Sequence, residues 1–326
     1  MSKNNFRIEH PIIGSLLLAS ILLSTIGCST KKKTPLRFGI NPWPGYEFIH
    51  LAEQKGFFEK NEVSVQILEY ASLNDNRLGY HRGQIDGMAC TPVEMLQVLE
   101  ESDRKPVLVF PTDYSNGGDM ILAADFLHSI KDLAHKRIAS EPGLNMFLLS
   151  RALEKSGMTL DSVIIIPLLQ TEMPVKWKDN AFEAAVAYPP ISVALQAGGM
   201  HPVFSSRDIP AEILDILVFD QTILEQRPQD VHAFLRAIEE PQAYRVDHKQ
   251  ESDSIMALHM VITPQEFTDL LEKDIHVFEP SERKKILAEG GAAQQNLVNI
   301  HRTFFKGRSA TSPFSASHSI RNDFIP

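Results

Sequence analysis

Cysteine is almost missing from this sequence, with two residues, Cys28 and Cys90, in a chain of 326. A scaffold stapled by several disulfides is therefore excluded, and a packed core must hold the fold. The 12 histidines show no pairing with cysteine, or with each other, at the spacing of a zinc or iron site. No metal and no cofactor is expected on that basis. Asn116-Gly117-Gly118-Asp119 carries paired glycines but lacks the Gly-Lys-Ser/Thr ending of a phosphate loop. A Gly-x-Ser-x-Gly nucleophile turn is missing as well. These absences point away from an enzyme.

Positive charge is also scarce. Lys and Arg total 32 against 41 Asp and Glu, for a formal charge of −9. A nucleic-acid binder needs a basic face, so that class is set aside. Long apolar runs are confined to the start. Lys3 and Arg7 precede an uncharged stretch from Pro11 to Gly27 that includes Leu16-Leu17-Leu18 and Ile21-Leu22-Leu23. A basic opening, a short apolar core and a small residue at the cut read as a secretory signal peptide over residues 1–27. The alternative is a retained membrane anchor, but the run is shorter than the roughly 20 residues a span requires. Cleavage removes Lys3, Arg7 and Glu9, which moves the formal charge from −9 to −10.

The junction Leu23-Ser24-Thr25-Ile26-Gly27-Cys28 resembles the bacterial lipobox, with Thr25 where an aliphatic residue is usual. The resemblance implies lipidation, including palmitate, at Cys28. Acyl chains tether a protein to a membrane without spanning it. Residues 28–34 then form a polar leash. Cys90, left alone, reads as a packed small residue.

What remains alternates between strand-like and helix-like runs and has room for two domains. Leu36–Ile40 is a short apolar strand broken by Asn41-Pro42-Trp43-Pro44-Gly45. Tyr46–Gly56 has helical spacing, and Val63, Val65 and Ile67 alternate as in a half-buried strand. Thr91-Pro92 opens a helix, with Thr91 as cap and Pro92 at the first position. Val107–Phe110, Val163–Ile166, Ala185–Ala187 and Ile216–Phe219 read as buried strands, and Gly143–Lys155 as a helix. Helices dominate from Gln221 on. This alternation predicts an α/β protein with largely parallel sheets. After Phe305 the pattern dissolves, and residues 307–326 are expected to be a disordered tail.

Four stretches in order resemble the periplasmic solute-binding proteins of nitrate, taurine and aliphatic-sulfonate ABC importers, a group related to thiamine-pyrimidine-synthase-like proteins. They are Trp43-Pro44-Gly45-Tyr46 with Ala52…Gly56-Phe57-Phe58; Gly83-Gln84-Ile85-Asp86-Gly87; Thr112 to Asp119; and Pro228…Val231…Phe234…Ala237. The resemblance spans about Leu36 to Lys306. It implies a type II periplasmic-binding-protein fold, with two Rossmann-like lobes joined by two crossover strands and a ligand in the cleft. Lobe 1 would comprise 35–112 plus 219–306, and lobe 2 residues 113–218. Closure about the crossings would trap the ligand.

Ligands in α/β sheets sit beyond the carboxyl ends of strands, near helix N-termini. The cleft candidates are therefore Asn41, Trp43, Tyr46, Thr91, Asp113, Asn116, Asp119, Glu141, Asn145 and Tyr188. Trp43 either stacks on ligand or plugs its own lobe. Thr91 donates to ligand or only caps its helix. Gly117 and Gly118 are expected to be hinge residues, with Asn116 facing the cleft. The helix start at Gly143-Leu144-Asn145 offers free N–H groups to an anion, yet Glu141 would repel one. Tyr188 is followed by Pro189 where the family carries an acid. Arg and Lys are absent from these stretches, so a neutral or cationic, heteroaromatic ligand is favoured over nitrate or a sulfonate.

The resemblance thus implies a monomeric, lipid-anchored binder in the periplasm that hands a small molecule to an ABC permease. A ligand sensor docked on a transmembrane receptor is the alternative that sequence does not separate.

Overall fold

The computed structural model describes residues 1–2, 34–305 and 315–326. The signal peptide, Cys28 and nearly all of the 28–34 leash lie outside the described residues. Pro35–Pro326 forms one compact unit, and among the described residues no helix is long and apolar enough to cross a membrane.

Eleven strands form two sheets. They are β1 (Leu36–Ile40), β2 (Val65–Glu69), β3 (Gly87–Cys90), β4 (Pro106–Ser115), β5 (Met120–Ala123), β6 (Arg137–Ser140), β7 (Ile164–Pro167), β8 (Ala184–Ala187), β9 (His201–Ser205), β10 (Leu214–Asp220) and β11 (Ile275–Val277). The first sheet has the order β11-β4-β10-β3-β1-β2, and the second β7-β6-β8-β5-β9. Each contains three parallel strands, β2-β1-β3 and β7-β6-β8. Each also holds antiparallel partners, β10 in the first and β5 in the second. The sheets are therefore mixed rather than largely parallel. The physical reason is connectivity: β5 and β10 are the strands by which the chain arrives from the other lobe, and both enter their sheet antiparallel to its neighbours.

Val107–Phe110 of β4 and Ile216–Phe219 of β10 are continuous apolar runs because the lobe covers them on both faces. All seven residues of β10 are buried. Their register pairs Leu214 with Tyr114 and Phe219 with Val107. Both strands thus stay in the first sheet past the expected boundaries at residues 113 and 219. The crossings instead lie at Asn116–Asp119 and Ser206–Ile213. They are tied to one another: Ser115 and Ser206 hydroxyls meet at 2.7 Å, and the Gly117 N–H donates to Ser206 Oγ at 2.6 Å.

The helix Pro228–Asp247 seals lobe 1. Val231, Phe234 and Ala237 fall on its buried face. Phe234 stacks on Phe58 at 5.6 Å between ring centroids, meets Phe219 edge-on at 5.5 Å and lies tilted to Phe38 at 4.7 Å. Burial of such a ring contributes about 3 kcal/mol. Asp86 has a structural task, accepting the Arg37 backbone N–H at 2.9 Å and pairing with its guanidinium at 2.6 Å.

The expectation of a disordered 307–326 tail is corrected for its second part. Residues 307–314 lie outside the described residues, but from 315 the chain packs on lobe 1. Ile320 bridges Leu108 in parallel, Arg321 N–H donates to Leu108 O at 2.9 Å, and Phe324 and Ile325 are buried. Two apolar residues at the very end supply burial that the serine-rich composition before them hides.

Candidate functional site

A small cavity lies between the carboxyl ends of the two sheets. Its eight lining residues are Asn41, Trp43, Tyr46, Leu73, Asp119, Leu144, Tyr188 and Asp215. Lobe 1 supplies Asn41, Trp43 and Tyr46 from the turn after β1, Leu73 from the start of the helix Leu73–His81, and Asp215 from β10. Lobe 2 supplies Leu144 from the first turn of the helix Leu144–Lys155 and Tyr188 from the end of β8; Asp119 lies at the crossing. The cavity volume is about 10 Å³, the room of a single water. Any organic ligand must enter with the lobes parted.

The aromatic wall is held from behind. Trp43 Nε1 donates to Asp113 Oδ1 at 3.0 Å, and its ring meets Tyr188 edge-on at 6.4 Å between centroids. Two glycines make the space. A Cβ on Gly45 would lie 2.0 Å from Asp113 Oδ2, and one on Gly118 would lie 2.7 Å from Trp43 Cη2. Gly117 takes φ +128°, which L side chains rarely adopt, and Gly118 is small where the tryptophan ring passes.

Tyr46 donates its hydroxyl to Asp215 Oδ1 at 2.6 Å. Asp215 sits directly across the ladder from Asp113. Burial and the facing Asp113 raise the Asp215 carboxyl well above its ordinary range, and burial lifts Asp113 to about 6. Ionising both carboxylates together is disfavoured by their mutual repulsion. Burial carries Asp119 to about 7 and Glu141 to about 8. Asn41 Oδ1 and Asp119 Oδ2 are buried without a hydrogen-bond partner. Buried acceptors of this kind are costly unless a donor meets them.

Three contacts join the lobes around the cavity. Leu73 N–H donates to the Tyr188 hydroxyl at 3.0 Å, Ser72 hydrogen-bonds Glu141, and Leu144 N–H donates to Glu94 Oε1 at 2.8 Å. The Gly143 backbone fits against Glu94, since a Cβ there would lie 2.4 Å from Oε1. The helix N-terminus that sequence offers to an anion is thus filled by a carboxylate of the chain itself.

Five of the ten sequence candidates line the cavity: Asn41, Trp43, Tyr46, Asp119 and Tyr188. The structure does not bring the other five to it. Asp113 backs the wall. Thr91 caps its helix, accepting from Val93 N–H at 3.2 Å, and hydrogen-bonds Glu94. Glu141 stands behind Tyr188 near Ser72. Asn145 donates to Val186 O at 2.7 Å, fastening its helix to β8. Asn116 is half-exposed, its N–H donating to Asp274 O at 2.8 Å. Sequence reading missed Leu73, Leu144, Asp215 and the Glu94 contact. Asp215 carries a visible signal, an acid inside the apolar run Leu214–Phe219.

A family model described as NMT1/THI5 like matches residues 43–252. Among solved structures, the chain is similar to the alkanesulfonate-binding protein SsuA from Xanthomonas axonopodis pv. citri bound to MOPS. The TM-score is 0.75 at 15% identity, covering 88% of this chain and 98% of that one. It is also similar to the periplasmic nitrate-binding protein NrtA from Synechocystis PCC 6803, with TM-score 0.71, 16% identity, and 89% and 87% covered. A third similar structure is the Candida albicans CA3427 gene product, described as having the generic periplasmic binding protein fold, with TM-score 0.68, 11% identity, and 89% and 96% covered. No curated protein sequence matches the chain significantly. At these identities the likeness fixes the fold, which is the two-lobed periplasmic-binding-protein architecture.

Proposed function

The chain belongs to the NMT1/THI5-like family, and from that membership we propose that it is an extracytoplasmic solute-binding protein serving an ABC importer. It captures a small organic molecule between its lobes and releases it unchanged. The similar structures include binders of an alkanesulfonate and of nitrate, both anions. We assign this chain a different class of cargo: a small heteroaromatic or amine-bearing molecule, neutral or cationic and rich in hydrogen-bond donors.

One observation carries that reading. Asn41 Oδ1 and Asp119 Oδ2 are unpartnered acceptors on a cavity whose eight lining residues include neither Lys nor Arg. A ligand that donates to both relieves their burial, whereas an anion would add a like charge. Trp43 and Tyr188 supply faces for a flat ring. The helix N-terminus, the natural anion seat, is already occupied by Glu94.

The test is calorimetry and thermal shift with two panels: aminopyrimidines and small amines against alkanesulfonates and nitrate. Stabilisation by the first panel supports the reading, and stabilisation by the alkanesulfonates alone overturns it. Recovery of a permease on co-purification supports import; recovery of a transmembrane kinase in its place would make the chain a sensor. Lipid attachment at Cys28 in a monomer held at the membrane completes the proposal. Incorporation of labelled palmitate, lost in Cys28→Ala, is the expected result.

A further inference from the structure

The two crossings between the lobes are held in different ways. On the second, Glu212 is gripped from both sides. Its carbonyl accepts from Asn296 Nδ2 of lobe 1 at 2.8 Å, and its carboxylate takes a two-pronged bond from Arg151 of lobe 2, at 2.7 Å from Nε and 2.9 Å from Nη2. The helices that carry these partners, Leu144–Lys155 and Ala292–Phe304, also meet through Phe147 and Phe304, edge-on at 5.7 Å between centroids. A planar, bidentate pair of this kind fixes geometry as well as distance.

The first crossing is built around one carbonyl. Asp274 ends the π-helical turn Leu270–Asp274 of lobe 1, just before β11. Its carbonyl oxygen accepts both the Asn116 N–H at 2.8 Å and the Gly118 N–H at 3.1 Å. Gly117 lies between those two donors, so turning either of its dihedrals swings one N–H away from the shared oxygen. A charge pair lies across the same residue. Arg207, where the chain leaves β9 of lobe 2, pairs with the Asp274 carboxylate and donates from Nη2 to Lys273 O at 2.9 Å. A Cβ on Gly117 would lie 2.8 Å from Arg207 Cζ and 2.9 Å from Asp274 Oδ1. The guanidinium and the carboxylate therefore pack directly on the Gly117 backbone.

We propose that the Arg207–Asp274 pair is a hinge latch. It is made with the lobes closed, it holds Gly117 in the closed conformation, and it breaks before lobe 2 swings out about the Glu212 pivot. Arg207 is thus a positioning residue for a cavity it does not line.

The path from latch to cavity is short. Gly118 lies against the Trp43 ring. The Asp119 N–H donates to Ser115 Oγ at 3.0 Å, and the Asp119 carbonyl accepts from the Ser206 N–H at 2.9 Å. A turn at Gly117 displaces Gly118 and Asp119 together and so loosens one wall of the cavity. The latch also answers to ionic strength: the Arg207 side chain is 52% exposed, and salt screens a pair so placed. The inference rests on the two-lobed fold and is independent of the cargo assigned above.

The experiment is small-angle scattering and amide hydrogen exchange on the full chain without added ligand, at about 20 mM and about 500 mM sodium chloride. At low salt, Arg207→Ala and Asp274→Ala each should enlarge the radius of gyration. Each should also speed exchange of the Asn116 and Gly118 amides roughly fivefold, the worth of one partly exposed, charge-assisted pair. The double variant should do no more than either single one, since both remove the same contact. The native chain should approach the variants at high salt, and Arg207→Lys, which keeps the charge, should lie between. Exchange in the core strands β1 and β8 should stay at native values. A variant that loses its fold shows itself there, and the salt response of the native chain then decides. Unchanged scattering and exchange in Arg207→Ala overturn the proposal, as does a native chain indifferent to salt. So do single effects that add in the double variant, or a radius that grows while Asn116 and Gly118 stay protected, which would place the moving part at the other crossing. No cargo enters this test, so its failure is distinct from a failure of the import reading.

Discussion

The Glu94 carboxylate of one lobe accepts the Leu144 N–H of the other at 2.8 Å. Glu94 is fully buried, and Thr91 hydrogen-bonds its second oxygen. This contact must break whenever the lobes part, and it closes the helix N-terminus to anions while it is made. Removing it in Glu94→Ala should shift the open–closed balance toward open by about tenfold, the worth of one hydrogen bond to a charged group at about 1.5 kcal/mol. Small-angle scattering should record a larger radius of gyration. The same variant should gain measurable affinity for alkanesulfonates, because the freed N–H groups and the lost negative charge both favour an anion. An unchanged scattering profile would show that Glu94 does not latch the lobes.

Stability should fall as pH rises from about 4 to 8. Asp113, Asp119 and Glu141 are lifted by burial to about 6, 7 and 8 in the folded chain, against ordinary values near 4. Between those limits the folded state binds more protons than the unfolded state, so the slope of unfolding free energy with pH is negative. The stabilisation is complete below the unfolded values and lost as pH passes through the folded ones. Denaturant midpoints at pH 5 and pH 8 measure it. Asp119→Asn should flatten the slope between about pH 4 and 7 and weaken a cationic ligand at least tenfold. A midpoint that rises steadily across this range would contradict the burial of these acids.

Gly118→Ala should impair binding more than stability. Its Cβ would lie 2.7 Å from Trp43 Cη2, so the indole must swing and lose its bond to Asp113. Ligand affinity should drop at least tenfold, while the unfolding midpoint moves by an amount typical of a small overpacking strain, about 1–3 kcal/mol. Near-ultraviolet circular dichroism reports the displaced tryptophan directly.

Phe234→Ala tests the core of lobe 1. The ring touches Phe38, Phe58 and Phe219, and its removal should cost about 3–5 kcal/mol in chemical denaturation. A loss below about 1 kcal/mol would mean the helix Pro228–Asp247 does not carry the seal.

Much of this architecture is written plainly in the sequence. The apolar stretches Val107–Phe110 of β4 and Ile216–Phe219 of β10, and the short strand β1, are legible from composition, and Thr91-Pro92 marks its helix start by capping chemistry. β6, with Arg137 at its head, and β9, with His201 and Pro202, carry no comparable signal. They are strands because their neighbours offer ladders, which is tertiary information. The cavity divides the same way. Asn41, Trp43 and Tyr46 were findable because they follow a strand at a proline-rich turn. Leu73 and Leu144 were not, since an apolar residue at a helix start looks like core until the facing lobe is known. Asp215 lay within reach as an acid in an apolar strand, where burial demands a purpose.

The pairing of β10 with β3 and β4 sets an order of events during synthesis. The strands of lobe 2 run uninterrupted from Met120 to Ser205, whereas lobe 1 cannot finish its central ladder until Leu214 has emerged. Closing that ladder spans about a hundred residues, an entropic cost that grows slowly once the intervening segment is itself compact. Lobe 2 is thus inserted between two strands of lobe 1, and its assembly ahead of that ladder is the expected order. Circular permutants cut within lobe 2 should refold more slowly than those cut in the turn before β2, where Glu62 is exposed, since only the former remove the preassembled bridge.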